Sequence, residues 1–263
     1  MQIKNICGNT GYISTKHALI TTYSLSNEEV ILFDSGETES QELLNLLEEN
    51  HLRVRAVFCT HLHPDHTANN CILNKRHGAE IYHPNENIPE YTKQYRKEYP
   101  FRTLIHSKKI CINNADILIL PAPGHSAGHL SYVTPDGVCC VGDALLSQPI
   151  LRHSKLPYME NVELAVSSME QIRKMDFSHF VVAHKAVVSR NKMSELVDEN
   201  IQKERDLSEI LCRCIGKSSS VETIVTDFMH SIGIERTEVI QSEYLRDLIR
   251  MRIQSYSMTK ASD

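Results

Sequence analysis

The sequence predicts a layered α/β domain, strands packed on strands with helices outside, followed by a helical appendage. Two observations carry this. Up to about residue 185, short β-branched runs alternate with segments of helical periodicity; from about Lys192 onward the strand signals nearly vanish and apolar residues recur at helical spacing. The 263 residues are enough to bury a sizeable core without disulfide or metal staples. With 41% hydrophobic and 23% charged residues, the composition excludes a disordered or low-complexity scaffold.

In chain order, residues 18–25 and 30–33 are apolar runs separated by Ser26-Asn27-Glu28-Glu29, and they read as a hairpin that ends at Asp34-Ser35-Gly36. Residues 39–49 place Leu43, Leu44, Leu46 and Leu47 at helical spacing, and the nearly continuous apolar run 54–59 predicts a buried strand. A helix over 68–76 stopped by Gly78 and a short strand over 80–82 follow. Strands resume at 110–112, 117–120, 130–133 and 138–141, the last two joined by the turn Thr134-Pro135-Asp136-Gly137. A helix over 162–175 and a strand over 180–183 close this half.

In the tail, Leu207, Ile210, Leu211 and Cys214 share a helical face that ends at Gly216. Val221, Ile224, Val225, Phe228, Met229 and Ile232 share a second, ending at Gly233, with Ser219 and Glu222 as a capping box. Tyr244, Leu245, Leu248 and Ile249 mark a third. The division is therefore residues 1–190 as the main domain and 191–263 as a helical domain or cover, which also offers a surface for a second copy of the chain.

Charge narrows the partners. With 28 basic against 33 acidic residues, net −5, no global positive field draws the chain to nucleic acid or an anionic membrane. Apolar runs such as 117–120 fall far short of the ~20 residues that span a bilayer. No basic start precedes a long apolar stretch, so the chain reads as cytoplasmic. The eight cysteines include an adjacent pair and a C-x-C but no C-x-x-C, which favours reduced, structural thiols.

The chemistry lies where strands end. After the strand 54–59 comes Thr60-His61-Leu62-His63-Pro64-Asp65-His66: alternate positions in extended chain turn His61 and His63 to one cation, while Asp65 and His66 point to a second position. His125 follows the strand 117–120, Asp143 the strand 138–141, and His184 the strand 180–183. Each alone reads as a hydrogen-bonded surface residue; together with the first motif they form a ligand set.

These residues resemble the metallo-β-lactamase-fold (glyoxalase II-like) hydrolases from about Asn9 to Val188: Asp34 in Phe33-Asp34-Ser35-Gly36, His61-x-His63-x-Asp65-His66, His125 in Pro-Gly-His-Ser-Ala-Gly-His, Asp143 in Gly-Asp-Ala, and His184. The resemblance implies a four-layer αββα sandwich with two divalent cations at the strand ends. It implies His61, His63 and His125 on the first cation, Asp65, His66 and His184 on the second, and Asp143 as the bridge. Asp34 and His129 are then structural supports. Imidazole and carboxylate donors suit Zn²⁺ first, with Fe or Mn also compatible. Two cations ~3.5–4 Å apart would hold a bridging hydroxide as nucleophile at neutral pH, with Asp65 and Asp143 as the carboxylates acting on it. The family's flavin-linked diiron members carry Glu where this chain has His63 and add a flavin domain, which favours hydrolysis here.

The bond cut depends on other loops. In the segment after Asp143, Arg152, Lys155 and Tyr158 are the residues that would hold an anionic or acyl substrate. Leu146 stands where quorum-signal lactonases carry Tyr, and no glutathione-binding tail is recognisable. The reading is hydrolysis of an ester, thioester or related acyl bond of a small molecule. Phosphodiester cleavage ranks second, since Lys203-Glu204-Arg205-Asp206 loosely resembles an endoribonuclease-like tail. Yet residues 190–263 hold eleven Lys or Arg against thirteen Asp or Glu, unlike a phosphate-binding surface. A metal-bound interaction module would need a missing ligand, and none is missing. The tyrosines of the segment 91–99 read as an amphipathic flap or stacking face.

Overall fold

The computed structural model describes residues 1–86, 98–105, 108–218, 220–234 and 239–260. Its first sheet has seven strands in chain order: β1 (Ile3–Cys7), β2 (Thr10–Ser14), β3 (Leu19–Ser24), β4 (Glu29–Phe33), β5 (Arg53–Phe58), β6 (Glu80–Pro84) and β7 (Arg102–Leu104). Pairing is antiparallel from β1 to β4 and parallel from β4 to β7. A parallel step needs a crossover. Helix α1 (Gln41–Glu49) supplies it between β4 and β5, and α2 (Pro64–Thr67) with α3 (Asn70–His77) between β5 and β6.

The second sheet holds β8 (Lys109–Ile112), β9 (Ala115–Pro121), β10 (Leu130–Val133), β11 (Val138–Gly142), β12 (His179–Val182) and β13 (Ala186–Ser189), in the spatial order β13-β12-β11-β10-β9-β8. Only β11 and β12 are parallel, and α4 (Gln148–His153) and α5 (Val162–Lys174) cross between them. Helices α6 (Arg190–Ile215), α7 (Val221–Ser231) and α8 (Val239–Lys260) follow.

Period-two alternation sorts the side chains into layers. On β4, Val30 and Leu32 pack under Leu43 and Leu47 of α1 and Leu73 of α3. Ile31 and Phe33 point the other way, into a core shared with Ile117, Ile119, Tyr132 and Cys140 of the second sheet. On β11, Cys139 and Val141 pack against Met169 and Ile172 of α5 and Met193 and Val197 of α6. The order is helix, sheet, sheet, helix, the predicted layered α/β class with helices after it. The sheets are also tied at one edge. The Tyr132 hydroxyl donates to the Cys59 carbonyl at 2.7 Å, and the Leu130 N–H to the Thr60 carbonyl at 2.8 Å.

Strands β1, β2, β7 and β13 are additions to the sequence reading. All are short; β7 and β13 are three and four residues, too brief for periodicity to register. Residues 148–153, read as loop, form α4, whose Pro149 sits in the first turn, where a missing N–H costs nothing. The N-cap of α7 is Ser220, which accepts from the Thr223 N–H; Ser219 lies outside the described residues. So do residues 91–97 of the tyrosine-bearing segment. Among the described residues no helix is long and apolar enough to cross a membrane.

Helix α6 belongs to two cores. Met193, Leu196, Val197 and Ile201 pack on the second sheet, while Leu207, Leu211 and Cys214 join Ile224, Val225 and Phe228 of α7 and Leu248 and Ile249 of α8. Leu156, from the segment after α4, enters the second core. Between α6 and α8, Arg252 makes two hydrogen bonds to Glu204, at 2.6 and 3.3 Å, and donates to the Pro157 carbonyl at 2.8 Å. Both side chains are essentially inaccessible, 3% and 2% exposed.

Breaking a buried pair strands the surviving charge, so Arg252→Met is expected to lower unfolding stability by about 3–5 kcal/mol, and Arg252→Met with Glu204→Met to recover most of that loss, read by urea denaturation. Gly142, at the end of β11, has φ +57°, and a Cβ there would meet His129 Nε2 at 2.7 Å and Thr60 Cβ at 2.8 Å. Gly142→Ala is expected to cost at least about 2 kcal/mol by the same measurement, from left-handed backbone strain and overpacking together.

Candidate metal centre

At the tied edge of the sandwich, seven ligand-type side chains converge in two groups: His61, His63 and His125, and Asp65, His66, Asp143 and His184. Within each group the donor atoms lie within 4.8 Å of one another. All come from just beyond strand ends. His61 and His63 follow β5, and Pro64 then starts the single turn of α2 that carries Asp65 and His66. His125 follows β9, Asp143 follows β11 and His184 follows β12. The loop before His125 presses on α5 so closely that a Cβ on Gly124, φ +137°, would lie 2.2 Å from the Ala165 nitrogen.

The first group is compact. His63 Nδ1 lies 2.8 Å from His61 Nε2 and 3.0 Å from His125 Nε2. In the second, Asp143 Oδ2 is 3.2 Å from His184 Nε2 and 3.5 Å from His66 Nε2, and Asp65 Oδ2 is 3.7 Å from both imidazoles. The same Asp143 oxygen is 3.6 Å from His125 Nε2 and 4.0 Å from His61 Nε2, so it faces both groups.

Four imidazoles have their far nitrogen occupied, which fixes the near one. His66 Nδ1–H donates to Asp34 Oδ2 at 2.8 Å, His61 Nδ1–H to the Thr60 hydroxyl at 3.0 Å, His125 Nδ1–H to the Tyr158 carbonyl at 3.1 Å and His184 Nδ1–H to the His17 carbonyl at 3.3 Å. Each Nε2 is thereby left to point at the cluster. Asp34, buried and at φ +62°, also accepts from the Thr60 N–H at 2.7 Å and hydroxyl at 2.9 Å. His129 takes a different part: its Nε2 accepts the Asp143 backbone N–H at 3.1 Å and lies outside both donor groups.

The carboxylates separate the two groups electrostatically. Burial pushes the pKa of His61 and His125 well below 6.5, that of His63 down to about 4 and that of His129 to about 3, so these rings are neutral. Burial acts against charge on His66 too, but the Asp143, Asp34 and Asp65 carboxylates overcome it and hold the pKa well above 6.5. Asp143 raises His184 to about 9. Burial likewise opposes ionisation of Asp143, yet His66 and His184 hold its pKa well below the usual carboxylate range.

The donor set fits a divalent cation. Imidazole nitrogens in fixed tautomers and carboxylate oxygens are what such ions take, and Asp143 Oδ1 is buried with no hydrogen-bond partner among the described residues. Protons on His66 and His184 do for Asp143 what a cation would do in their place.

A cavity of about 360 Å³ opens on both groups. His63, Asp65, His125, Asp143 and His184 line one side; Leu146, Ile150, Ser154, Leu156, Pro157, Tyr158 and Tyr244 line the other. Of the three residues the sequence offered for substrate, Tyr158 lines this cavity, its ring edge-on to His63 and its hydroxyl donating to Glu160 at 3.1 Å. Arg152 is exposed on α4, and Lys155 donates to the Gly233 carbonyl; neither is among the lining residues.

Several residues that shape the site were not read from the sequence as part of it. Glu86, just past β6, accepts from the Leu62 N–H at 2.6 Å, the Ser126 hydroxyl at 2.5 Å and the Gly128 N–H at 3.2 Å, clamping the His61–His63 loop to the His125 loop. Asn200 on α6 holds both backbone groups of Leu146, at 2.8 and 3.0 Å. Tyr244 reaches the cavity from α8.

Residues 19–184 match the model of the metallo-beta-lactamase superfamily. A hydroxyacylglutathione hydrolase of Shewanella baltica is 26% identical over 228 residues, 82% of each chain. One of Idiomarina loihiensis is 29% identical over 121 residues, 46% of this chain and 43% of its own. Among solved structures, a beta-lactamase from Chitinophaga pinensis superposes with a TM-score of 0.63 at 17% identity, covering 78% of this chain and 93% of its own. With the match running from β3 to the end of β12 and over the strand ends that bear the histidines and aspartates, this chain belongs to the metallo-β-lactamase superfamily and is a hydrolase of that fold.

Proposed function

We propose that this chain is a dinuclear metal-dependent hydrolase that cleaves an ester, thioester or related acyl bond of a small molecule. The observation that carries it is the Asp143 carboxylate: one oxygen lies 3.2–4.0 Å from imidazole nitrogens of both donor groups, the position of a shared ligand. His61, His63 and His125 would hold one cation, Asp65, His66 and His184 the other, with Zn²⁺ the first choice for this donor set and Fe or Mn also compatible. When bound, such a pair polarises the acyl oxygen and acidifies a water toward a pKa of about 7.

The chain's own residues supply orientation. Asp34, through Thr60 and His66, holds the loop that bears four of the donors. Asp65, its side chain 41% exposed on the cavity wall, is the carboxylate available to accept a hydrogen bond from the attacking water and aim its lone pair at the acyl carbon. His129 accepts the Asp143 backbone N–H and so fixes the point from which the carboxylate enters the site. Tyr158 and the apolar side of the cavity give the acyl group a surface to lie against. At about 360 Å³ the cavity is at the small end of the ~300–1,000 Å³ typical of small-molecule sites. The hydroxyacylglutathione hydrolases among the relatives support an acyl bond as target. Eight free cysteines support a reducing, cytoplasmic setting.

Assayed with zinc against thioesters, lactones, β-lactams, bis(p-nitrophenyl) phosphate and single-stranded RNA, the protein is expected to turn over an acyl substrate; turnover of phosphodiesters alone overturns the proposal. On the substrate found, Asp34→Asn should cost about 10–100-fold in kcat/KM, as a support of a ligand does, and Asp143→Ala more than about 100-fold.

Metal uptake should be proton-linked. His184, with a pKa of about 9, and His66, held well above 6.5, carry protons at pH 7 that ligation must displace. Zn²⁺ affinity should therefore rise as pH rises toward 9 and weaken as it falls, roughly tenfold per pH unit for each proton released. Calorimetry in buffers of different ionisation enthalpy reads the proton count, and a count of zero contradicts the ligand assignment.

A further inference from the structure

The cavity has two unlike sides. Opposite the histidines and aspartates stand Leu146 before α4 and Ile150 within it, Leu156, Pro157 and Tyr158 after it, and Tyr244 from α8. Ser154 adds a hydroxyl, and no lysine or arginine is among the described residues that line the cavity. Ile150 and Tyr244, 36% and 45% exposed, present large hydrophobic surface beside a concave site, the kind of surface that marks a ligand groove.

This wall is held rigidly by the helical tail. Asn200 of α6 grips the Leu146 backbone, Leu156 is buried in the core of α6, α7 and α8, and Arg252 of α8 donates to the Pro157 carbonyl. The ordering cost of the wall is met by the fold and not by the ligand, which is what makes a recognition surface effective. Away from the donor groups, a substrate tail with free carboxylates would meet hydrocarbon, with no described lysine or arginine lining the cavity to pair with it.

We propose that this wall is the acyl-recognition subsite, and that the substrate is an ester or thioester with a short aliphatic or aryl acyl group and no anionic tail of the glutathione kind. The proposal rests on the acyl-hydrolase reading above and narrows it. Water adds to the acyl carbon, the acyl–oxygen or acyl–sulfur bond breaks, and the water's proton ends on the departing alcohol or thiol; no further reactant is needed. The helical tail is then a specificity element, since it both builds and braces the wall.

The test separates binding from turnover. S-alkyl thioethers of N-acetylcysteamine, from ethyl to hexyl, cannot be hydrolysed, and calorimetry on the metal-loaded protein should give hexyl at least roughly tenfold tighter binding than ethyl. In Ile150→Lys and Tyr244→Ser, whose side chains are already partly in water, that ratio should fall to within about threefold of unity. In turnover, a hexanoyl thioester of N-acetylcysteamine should exceed both the acetyl thioester and the hexanoyl thioester of glutathione in kcat/KM. Affinity indifferent to chain length, or preference for the glutathione thioester, overturns the subsite. Chain-length-dependent binding with no ester or thioester cleaved supports the subsite and overturns the acyl-hydrolase reading instead.

Discussion

The structure is organised around a concentration of polar groups in a place where few are tolerated. Five imidazoles and two carboxylates lie almost wholly buried at one edge of a β sandwich: His61, His63, His66, His125, His129, Asp34 and Asp143. Burial of so many ionisable groups would be prohibitive if each were left to itself. It is sustained by distributing the hydrogen bonds outward. Asp34 takes three donors, Thr60 relays between Asp34 and His61, and backbone carbonyls of His17 and Tyr158 take the outer nitrogens of His184 and His125. What is left facing inward is imidazole nitrogens and the carboxylates of Asp65 and Asp143, an arrangement whose charge protons or cations can offset.

That arrangement dictates features of the fold that look unrelated. The ties between sheets, Tyr132 to Cys59 and Leu130 to Thr60, fall on the two residues that precede His61. The left-handed backbone at Asp34, and at Lys185 next to His184, sits at strand ends that deliver a polar group into the site. Strain of this kind persists where surrounding contacts over-determine the conformation. Gly142 meets the same demand differently, removing its side chain so that His129 can reach the backbone N–H of Asp143.

The inner strands were legible in the sequence because they are buried on both faces, and a short, near-continuous apolar run such as 54–59 suits a strand covered on either side. Outer strands such as β1, with its burial alternating irregularly, carry no such pattern. The donors were legible for a related reason: each lies in the first polar stretch after an apolar run, so local order alone marks it. Glu86, Asn200, Arg252 and Tyr244 were not. Glu86 binds residues 24 to 42 positions away, Asn200 a segment 54 away and Arg252 one 95 away, and nothing near them in sequence announces the partner. Arg152 and Lys155 show the converse limit. Their charge drew attention to a segment that lines the cavity, but helix α4 turns Arg152 outward, and the tail engages Lys155.

Helix α6 sets how this molecule can be taken apart. Its early turns are part of the sandwich and its later turns are part of the tail, with no loop between them. A cut at the start of the helix would strip Met193 and Val197 from the second sheet, and one at its end would leave Leu207 and Leu211 without a counterpart. A chimera that trades tails between relatives therefore joins inside the helix between Ile201 and Leu207, where one register must be carried through from host to graft and Glu204 must keep its Arg252.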